Sequence, residues 1–472
     1  FRTTMFKLPV SKNKIVLKAW WKTLDDEIVR SPFNPIDAPT EPLFTRTLKT
    51  LKEHAERHPE KAAVIDGFNE ERRLTYLQVH DQALSLAGYL RSIGFGKGDS
   101  ATTVLPNCIE FPVLYLGVMS AGGMFVSCSP AFKHHEIAYQ LRDASSSVVF
   151  TTEALLDSVM QAVVECPAVK TIICLRSSCT PLPDNVIDFH DAIDFEPMKE
   201  PVSLSMDAAC FVYYSSGTTG QPKGVMHSHR SSYVIIANWR SHFLDEVFPA
   251  LGVNDVDWYQ ECQILTTGCF HIMSFAFLMC LLTGMTAVIM PSFDERIFTE
   301  LVAHYKPRCL FVSPPIFAYL TKEKIGKSDS LKSVQFIMCG SAPLSQEVSD
   351  EFFANHPNVK YIVQGYGSTE TGPTHLPLLL HEGVTASSGV LLPGFEQKII
   401  DPNTLKPCKQ GEWGELCFKG AALTIGYLNR PEATKELFDE EGWLHSGDVG
   451  YMDEFGCLYI VDRMKELIKV NY

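Results

Sequence analysis

Between Tyr214 and Gly224 the chain reads YSSGTTGQPKG, eleven residues that hold three glycines, four serine and threonine hydroxyls and one lysine. Those residue types suit a polyphosphate. Glycines let backbone N–H groups approach anionic oxygens, hydroxyls donate further hydrogen bonds, and Lys223 supplies positive charge. A plain surface turn rarely needs so many donors and a cation together. The loop is not a Walker A sequence, because Lys223 follows Pro222 rather than glycine, and Gly326-Lys327-Ser328 lacks the upstream glycine. Gly365 and Gly367 are followed by Glu370, which breaks the dinucleotide fingerprint, and neither G-x-S-x-G nor H-E-x-x-H occurs. P-loop NTPases, dinucleotide oxidoreductases, α/β-hydrolases and zincins are therefore disfavoured.

The same eleven residues closely resemble the signature phosphate loop of the adenylate-forming acyl- and aryl-CoA synthetases. That family includes 4-coumarate-CoA ligases, medium-chain acyl-CoA synthetases and beetle luciferases. Further segments match in order, from Leu74-Thr75-Tyr76 to Asp462-Arg463-Met464-Lys465, so the resemblance covers roughly residues 44 to 469. It implies that a carboxylate attacks the α-phosphate of ATP, magnesium pyrophosphate leaves, and the thiol of coenzyme A takes the acyl group from the adenylate. ATP, Mg2+ and coenzyme A are the implied cofactors, with no covalent enzyme intermediate. Cations and donors around phosphorus are the groups that such chemistry needs.

Carried over residue by residue, the resemblance assigns the β- and γ-phosphates to Ser215, Ser216, Thr218, Thr219 and Lys223, with Gly217 and Gly220 in the same loop. Gln364–Glu370 (QGYGSTE) is similar to the adenylate motif. There Tyr366, beside Gly367, would lie against adenine, Thr369 would bond phosphate, and Glu370 would bind magnesium, which prefers one or two hard carboxylates. Gly340-Ser341-Ala342 resembles the segment that covers adenine and the acyl group. Asp448 would accept from both ribose hydroxyls, with Arg463 a second ribose contact and Lys465 part of the hinge. His271 takes the gate position of the acyl pocket, followed by Met273 and Phe277. Those two are more apolar than the tyrosine and serine that 4-coumarate ligases tend to have there, which favours a fatty or other apolar acid.

The elements that must position these residues are also legible. Across 472 residues, 46% hydrophobic and 20% charged composition is that of a folded protein large enough for two or three domains, or one composite domain. A formal net charge of -14 gives no global attraction to nucleic acid or anionic membranes. From about Phe44 to residue 380, apolar runs such as Ala62–Ile65, Thr171–Leu175 and Cys309–Val312 alternate with helical patterns, the texture of an α/β fold. Ile272–Met290 carries no charge, but Gly284 divides it into a helix-like half and a β-branched half, so a buried helix turning into a strand is expected rather than a membrane span. Phe111–Ser129 repeats that design. Short strands and turn signals follow Gly389.

The expected architecture is thus an extension and proline-rich linker over 1–43 and an α/β core of stacked sheets over 44–385. A small β-rich, barrel-like subdomain over 386–461 and a hinge over 462–472 complete it. The family's carboxyl-terminal lid domain would follow that hinge, and the chain stops at Tyr472. Residues 1–472 alone are therefore expected to bind ATP but adenylate slowly. Fourteen scattered cysteines without zinc spacing suggest buried thiols in a reducing, intracellular compartment, cytosol or peroxisome before mitochondrion. Alternatives are an adenylation domain serving a carrier protein, a luciferase-like enzyme, or a non-catalytic nucleotide or acyl sensor.

Overall fold

The computed structural model describes residues 28–33, 35–37, 39–215, 221–322, 329–340, 346–379, 383–384 and 387–464. Its largest sheet has eight strands, in the order Gly426–Tyr427, Lys223–Ser228, Ala209–Ser215, Met124–Cys128, Ser100–Val104, Val148–Thr152, Thr171–Leu175 and Val186–Asp188. The six from Ala209–Ser215 onward are parallel; the first two run antiparallel at one edge. A second sheet of four strands carries Cys262–Leu265, Thr286–Ile289 and Ala62–Asp66 in parallel, closed by antiparallel Asn69–Thr75. A third is all parallel: Cys309–Val312, Phe336–Cys339, Tyr361–Val363 and Gly383–Val384. Such sheets are buried on both faces, which explains the near-continuous apolar runs in the sequence.

Helices supply the covering layers. The helix Tyr76–Ser92 starts at a reciprocal cap, Gln78 N–H to Thr75 Oγ1 at 3.2 Å and Thr75 N–H to Gln78 Oε1 at 2.8 Å. It packs on Phe111–Ser120, every residue of which is buried. The uncharged stretch Ile272–Met290 resolves as expected into a helix, Phe275–Thr283, and a strand, Thr286–Ile289. Between them Gly284 has φ +94°, the left-handed conformation that ends the helix. Among the described residues no helix is long and apolar enough to cross a membrane. Each fully buried Phe, Leu or Val of this core contributes about 1.5–3 kcal/mol by leaving water.

The β-rich piece is an antiparallel sheet of five strands, Val29–Arg30, Phe395–Ile400, Gly414–Gly420, Leu444–Met452 and Leu458–Arg463. Its first strand comes from the segment read as extension and linker. Val29 opposes Gln397 and Arg30 opposes Glu396, and the Arg30–Glu396 ion pair at 2.7 Å lies outside any local sequence signal. A three-stranded sheet, Tyr366–Ser368, Gly372–Leu376 and Val390–Leu391, joins the core to this piece. Residues 1–27 and 465–472, the hinge residue Lys465 included, lie outside the described residues.

Two measurements check this packing. At Gly284 a Cβ would meet the Tyr259 ring at 2.8 Å, whereas at Gly252, with φ +82°, it would meet nothing within 4 Å. Gly284→Ala should therefore lower unfolding free energy by more than Gly252→Ala, which isolates the backbone strain of about 1–3 kcal/mol; chemical denaturation of both variants reads the difference. Burial also holds His227 and His229 near pKa about 4, and His242 and His375 near about 3. Below about pH 6.5 the unfolded chain takes up protons that the folded chain refuses, so stability is intact above that value and falls progressively toward pH 4. A series of thermal melts across that range should show the decline.

Candidate active site

The ends of the glycine-rich loop are fixed by strand pairing. Ser215 closes the strand Ala209–Ser215, Lys223 opens Lys223–Ser228, and the two residues are direct cross-strand partners. The loop is therefore the connection of an antiparallel hairpin and not the strand-to-helix turn of a P-loop. Helix His134–Asp143 braces its base: Tyr139 donates to the Pro222 carbonyl at 2.7 Å, and Tyr214 donates to Asp143 Oδ2 at 3.0 Å. Arg430 closes on Asp143 at 2.7 Å. Ser216, Gly217, Thr218, Thr219 and Gly220 themselves lie outside the described residues.

Glu370 is the meeting point. Its Oε1 accepts from the Ser215 hydroxyl at 3.2 Å and from the Tyr427 hydroxyl at 3.0 Å, which joins loop, adenylate segment and edge strand in one cluster. Lys223 Nζ stands 4.8 Å from the centroid of the Tyr427 ring, a cation–π contact that holds the ammonium against the ring whose hydroxyl bonds Glu370. Burial and the neighbouring Glu370 push the Tyr427 phenol above its ordinary pKa, so it remains a donor. Backbone ties hold the segment in place: Thr424 N–H donates to the Glu370 carbonyl at 2.7 Å, and the buried His227 Nε2 lies 2.8 Å from the Thr369 carbonyl. With His227 neutral, that nitrogen is the protonated one and donates.

The hairpin Tyr366–Ser368 to Gly372–Leu376 needs Gly367, where a Cβ would come within 2.2 Å of the Gly372 carbonyl oxygen. Tyr366 donates to Asp448 Oδ2 at 2.6 Å, and Arg463 Nε lies 3.3 Å from Asp448 Oδ1. Burial raises the Asp448 carboxyl above the ordinary aspartate value, while the Tyr366 hydroxyl and the Arg463 guanidinium oppose that shift. One carboxylate thus sits between an aromatic hydroxyl on one sheet and a cation on the next.

Gly340 ends the strand Phe336–Cys339, and space is open where its Cβ would be. The neighbouring parallel strand Tyr361–Val363 leads into Gln364 and Tyr366, so both segments leave the carboxyl edge of one sheet. Ser341 and Ala342 lie outside the described residues. His271 leaves the same edge of the second sheet, beyond Cys262–Leu265, with its ring against Phe270 at 4.3 Å between centroids and its pKa lowered by surrounding protein. The structure does not bring His271 into the Glu370 cluster. Its segment is instead tied to the phosphate strand by the buried Tyr213, whose hydroxyl lies 2.7 Å from Ser274 Oγ. Behind it a small cleft is lined by Ile264, Leu265, Thr266, Cys269, Phe277 and Phe311. Met273 lies in the turn Ile272–Ser274, and its side chain is outside the described residues.

Tyr427, His227, Tyr139 and Asp143 are the participants that the sequence did not point to. Each is a single residue whose partner is 57 to 142 positions away, or, for Tyr139 and Asp143, 83 and 71 positions away. Only the tertiary packing of strands and the helix His134–Asp143 reveals such pairs.

A family model described as "AMP-binding enzyme" matches residues 51–428. Among curated proteins, 4-coumarate–CoA ligase 1 of Petroselinum crispum is 33% identical over 454 residues, covering 94% of this chain and 80% of that protein. 4-Coumarate–CoA ligase 3 of Oryza sativa subsp. japonica is 32% identical over 416 residues, 87% of this chain and 72% of that protein. Among solved structures, the luciferase-like enzyme of the mealworm Zophobas morio superposes with a TM-score of 0.80 at 22% identity over 93% of this chain and 99% of its own, which shows the shared fold. The N-terminal domain of FACL13 from Mycobacterium tuberculosis superposes at 0.75 with 25% identity, over 88% of this chain and 99% of that one.

Titrations of ATP against magnesium test the cluster. Lys223→Met should weaken ATP by about tenfold, the loss of one charge-assisted contact. Glu370→Gln should leave ATP affinity without its dependence on magnesium. An ATP affinity still responsive to magnesium in Glu370→Gln would remove Glu370 from the metal role.

Proposed function

The chain belongs to the AMP-binding enzyme family, as an adenylate-forming acyl-CoA ligase, and we propose that it activates an apolar carboxylic acid, fatty or otherwise, with the Glu370 cluster as its phosphate and metal centre. Members of the family depend on ATP and Mg2+ and use coenzyme A as acceptor. The carrying observation is the convergence of Ser215, Glu370 and Tyr427 beside Lys223. That set offers a hard carboxylate for magnesium and an ammonium and hydroxyls for phosphate, so its donor chemistry fits both groups. Bound there, magnesium would neutralise charge on the leaving phosphates.

In the proposed reaction a carboxylate oxygen of the acid forms a bond to the α-phosphorus as the bond to the β-phosphate oxygen breaks, and pyrophosphate departs. Lys223, Ser215 and the loop hydroxyls Ser216, Thr218 and Thr219 hold the departing phosphates. Thr369 bonds the α-phosphate. Asp448 and Arg463 take the ribose, and Tyr366 with Gly340, Ser341 and Ala342 flanks the adenine. The coenzyme A sulfur then attacks the acyl carbon, AMP leaves, and the thiol proton passes to solvent. No side chain needs to become a nucleophile; the work is orientation and electrostatic stabilisation of charge developing on phosphorus.

The apolar acid is supported by the cleft wall, where Ile264, Leu265, Ala276 and Phe277 present hydrocarbon and Ser274 pairs its hydroxyl with Tyr213, Thr266 and Thr267 being the remaining polar members of the lining. Phe277 is almost wholly buried, as a pocket floor would be. His271 and Met273 would border the mouth. A panel of aliphatic and hydroxylated aromatic acids, supplied with ATP, Mg2+ and coenzyme A, tests the reading through mass detection of acyl-AMP and acyl-CoA. Aliphatic acids should form both products at higher kcat/KM than 4-hydroxycinnamate. Preference for the phenolic acid would overturn the apolar assignment, and acyl-AMP without thioester would point to a different acceptor.

A further inference from the structure

Outside the nucleotide cluster, one group of ionisable side chains stands out on the five-stranded sheet. Glu415 and Cys417, two apart on Gly414–Gly420, share a face, and His445 is the cross-strand partner of Cys417. His445 Nδ1 lies 2.9 Å from Glu415 Oε2 and 3.7 Å from Cys417 Sγ. These are transition-metal ligand types in close array. A cation is not needed to explain them, because carboxylate and imidazole satisfy each other and the Lys398 ammonium is already close enough to bear on both Cys417 and His445.

The second carboxylate oxygen decides the role. Glu415 Oε1 accepts the Gly447 backbone N–H at 3.2 Å, immediately before Asp448. The ladder between the two strands is irregular here, passing from Glu415 opposite Val449 to Cys417 opposite His445, so the stretch 446–448 bulges away from its partner strand. Gly447 supplies the positive φ of +71° that the bulge requires. The Ser446 hydroxyl donates to the Leu416 carbonyl at 2.7 Å and accepts the Asp448 N–H at 3.1 Å. Two bonds, Gly447 to Glu415 and Ser446 to Leu416, tie this turn to the strand that bears Glu415.

Resting on the nucleotide-site reading above, we infer that Glu415 and His445 are positioning residues that set the Gly447-Asp448 turn so that the Asp448 carboxylate meets the nucleotide ribose. His445 holds one end of the Glu415 carboxylate and Gly447 the other, which fixes the carboxylate plane and with it the bulge. Around the imidazole stand Glu415 and Cys417 on one strand, Asp439 at 3.7 Å from Nε2, and Lys398 bonded to Asp439 at 3.2 Å. The Glu415 hydrogen bond raises the imidazole pKa above the usual histidine value. Attraction between imidazolium and carboxylate is complete below the ordinary value and fades as pH rises through the raised one.

The test separates ribose from phosphate by titrating AMP and inorganic tripolyphosphate, each alone, into the full chain and its variants. Glu415→Gln should weaken AMP by about tenfold, the loss of one charged hydrogen bond, while tripolyphosphate changes by less than about twofold. A purely structural role would weaken both equally or lower the thermal midpoint without that split, and either result overturns the inference, as does an unchanged AMP affinity. Between about pH 6 and 9 wild-type AMP affinity should decline through the histidine titration, and His445→Gln should flatten the profile. An inflection that persists in His445→Gln also overturns it. If the wild-type chain binds neither ligand, the nucleotide reading itself fails and the inference with it, an outcome distinct from wild-type binding that the variants leave untouched.

Discussion

The antiparallel pairing of Ala209–Ser215 with Lys223–Ser228 is the constraint from which the site follows. It sets Ser215 opposite Lys223 at the carboxyl edge of a parallel sheet, where strand carbonyl and amide rows end and a ligand can approach backbone from outside. Gly426–Tyr427 adds a third strand to the same edge, pairing with Val225 and Met226, and so delivers the Tyr427 hydroxyl to Glu370. A shift of one residue in either register would turn Lys223 or Tyr427 to the opposite face of the sheet. The chemistry of the cluster is therefore specified by ladder hydrogen bonds far more than by the side-chain bonds within it.

Parallel strands of the two four-stranded sheets end in the same way. Gly340 and Tyr366 follow the carboxyl ends of Phe336–Cys339 and Tyr361–Val363, and His271 follows that of Cys262–Leu265. In three sheets, then, these segments leave the carboxyl edge of parallel strands. The antiparallel sheet contributes differently, through a bulge: Asp448 is aimed by the irregular stretch 446–448 rather than by a strand end. The place of Asp448 depends on a distortion held by hydrogen bonds to Glu415 and Leu416, whereas the cluster around Glu370 depends on regular pairing.

Much of this was legible in the residues. Alternating apolar runs gave the strands Thr171–Leu175 and Cys309–Val312 to the residue, and Gly284 marked a helix end because a left-handed φ leaves few other choices. The loop composition around Lys223 marked the hairpin whose ends, Ser215 and Lys223, meet across the strands. What escaped were contacts that no local pattern encodes: Val29–Arg30 pairing with residues 396 and 397, His227 reaching Thr369, and Tyr427 reaching Glu370. Hydrophobic periodicity says which face of an element is buried but not which strand becomes its neighbour. Strand order is set by non-local packing, and each of the unforeseen contacts rests on it.

The central claim is that one set of residues, gathered at Glu370, supports formation of an acyl-adenylate. Isotope exchange between labelled pyrophosphate and ATP reads that step alone, because label enters ATP only when the adenylate forms and reverses. The account predicts exchange that requires both Mg2+ and an apolar carboxylic acid, that proceeds without coenzyme A, and that is lost in Glu370→Gln. Exchange that is indifferent to the acid, or unimpaired in Glu370→Gln, would contradict it.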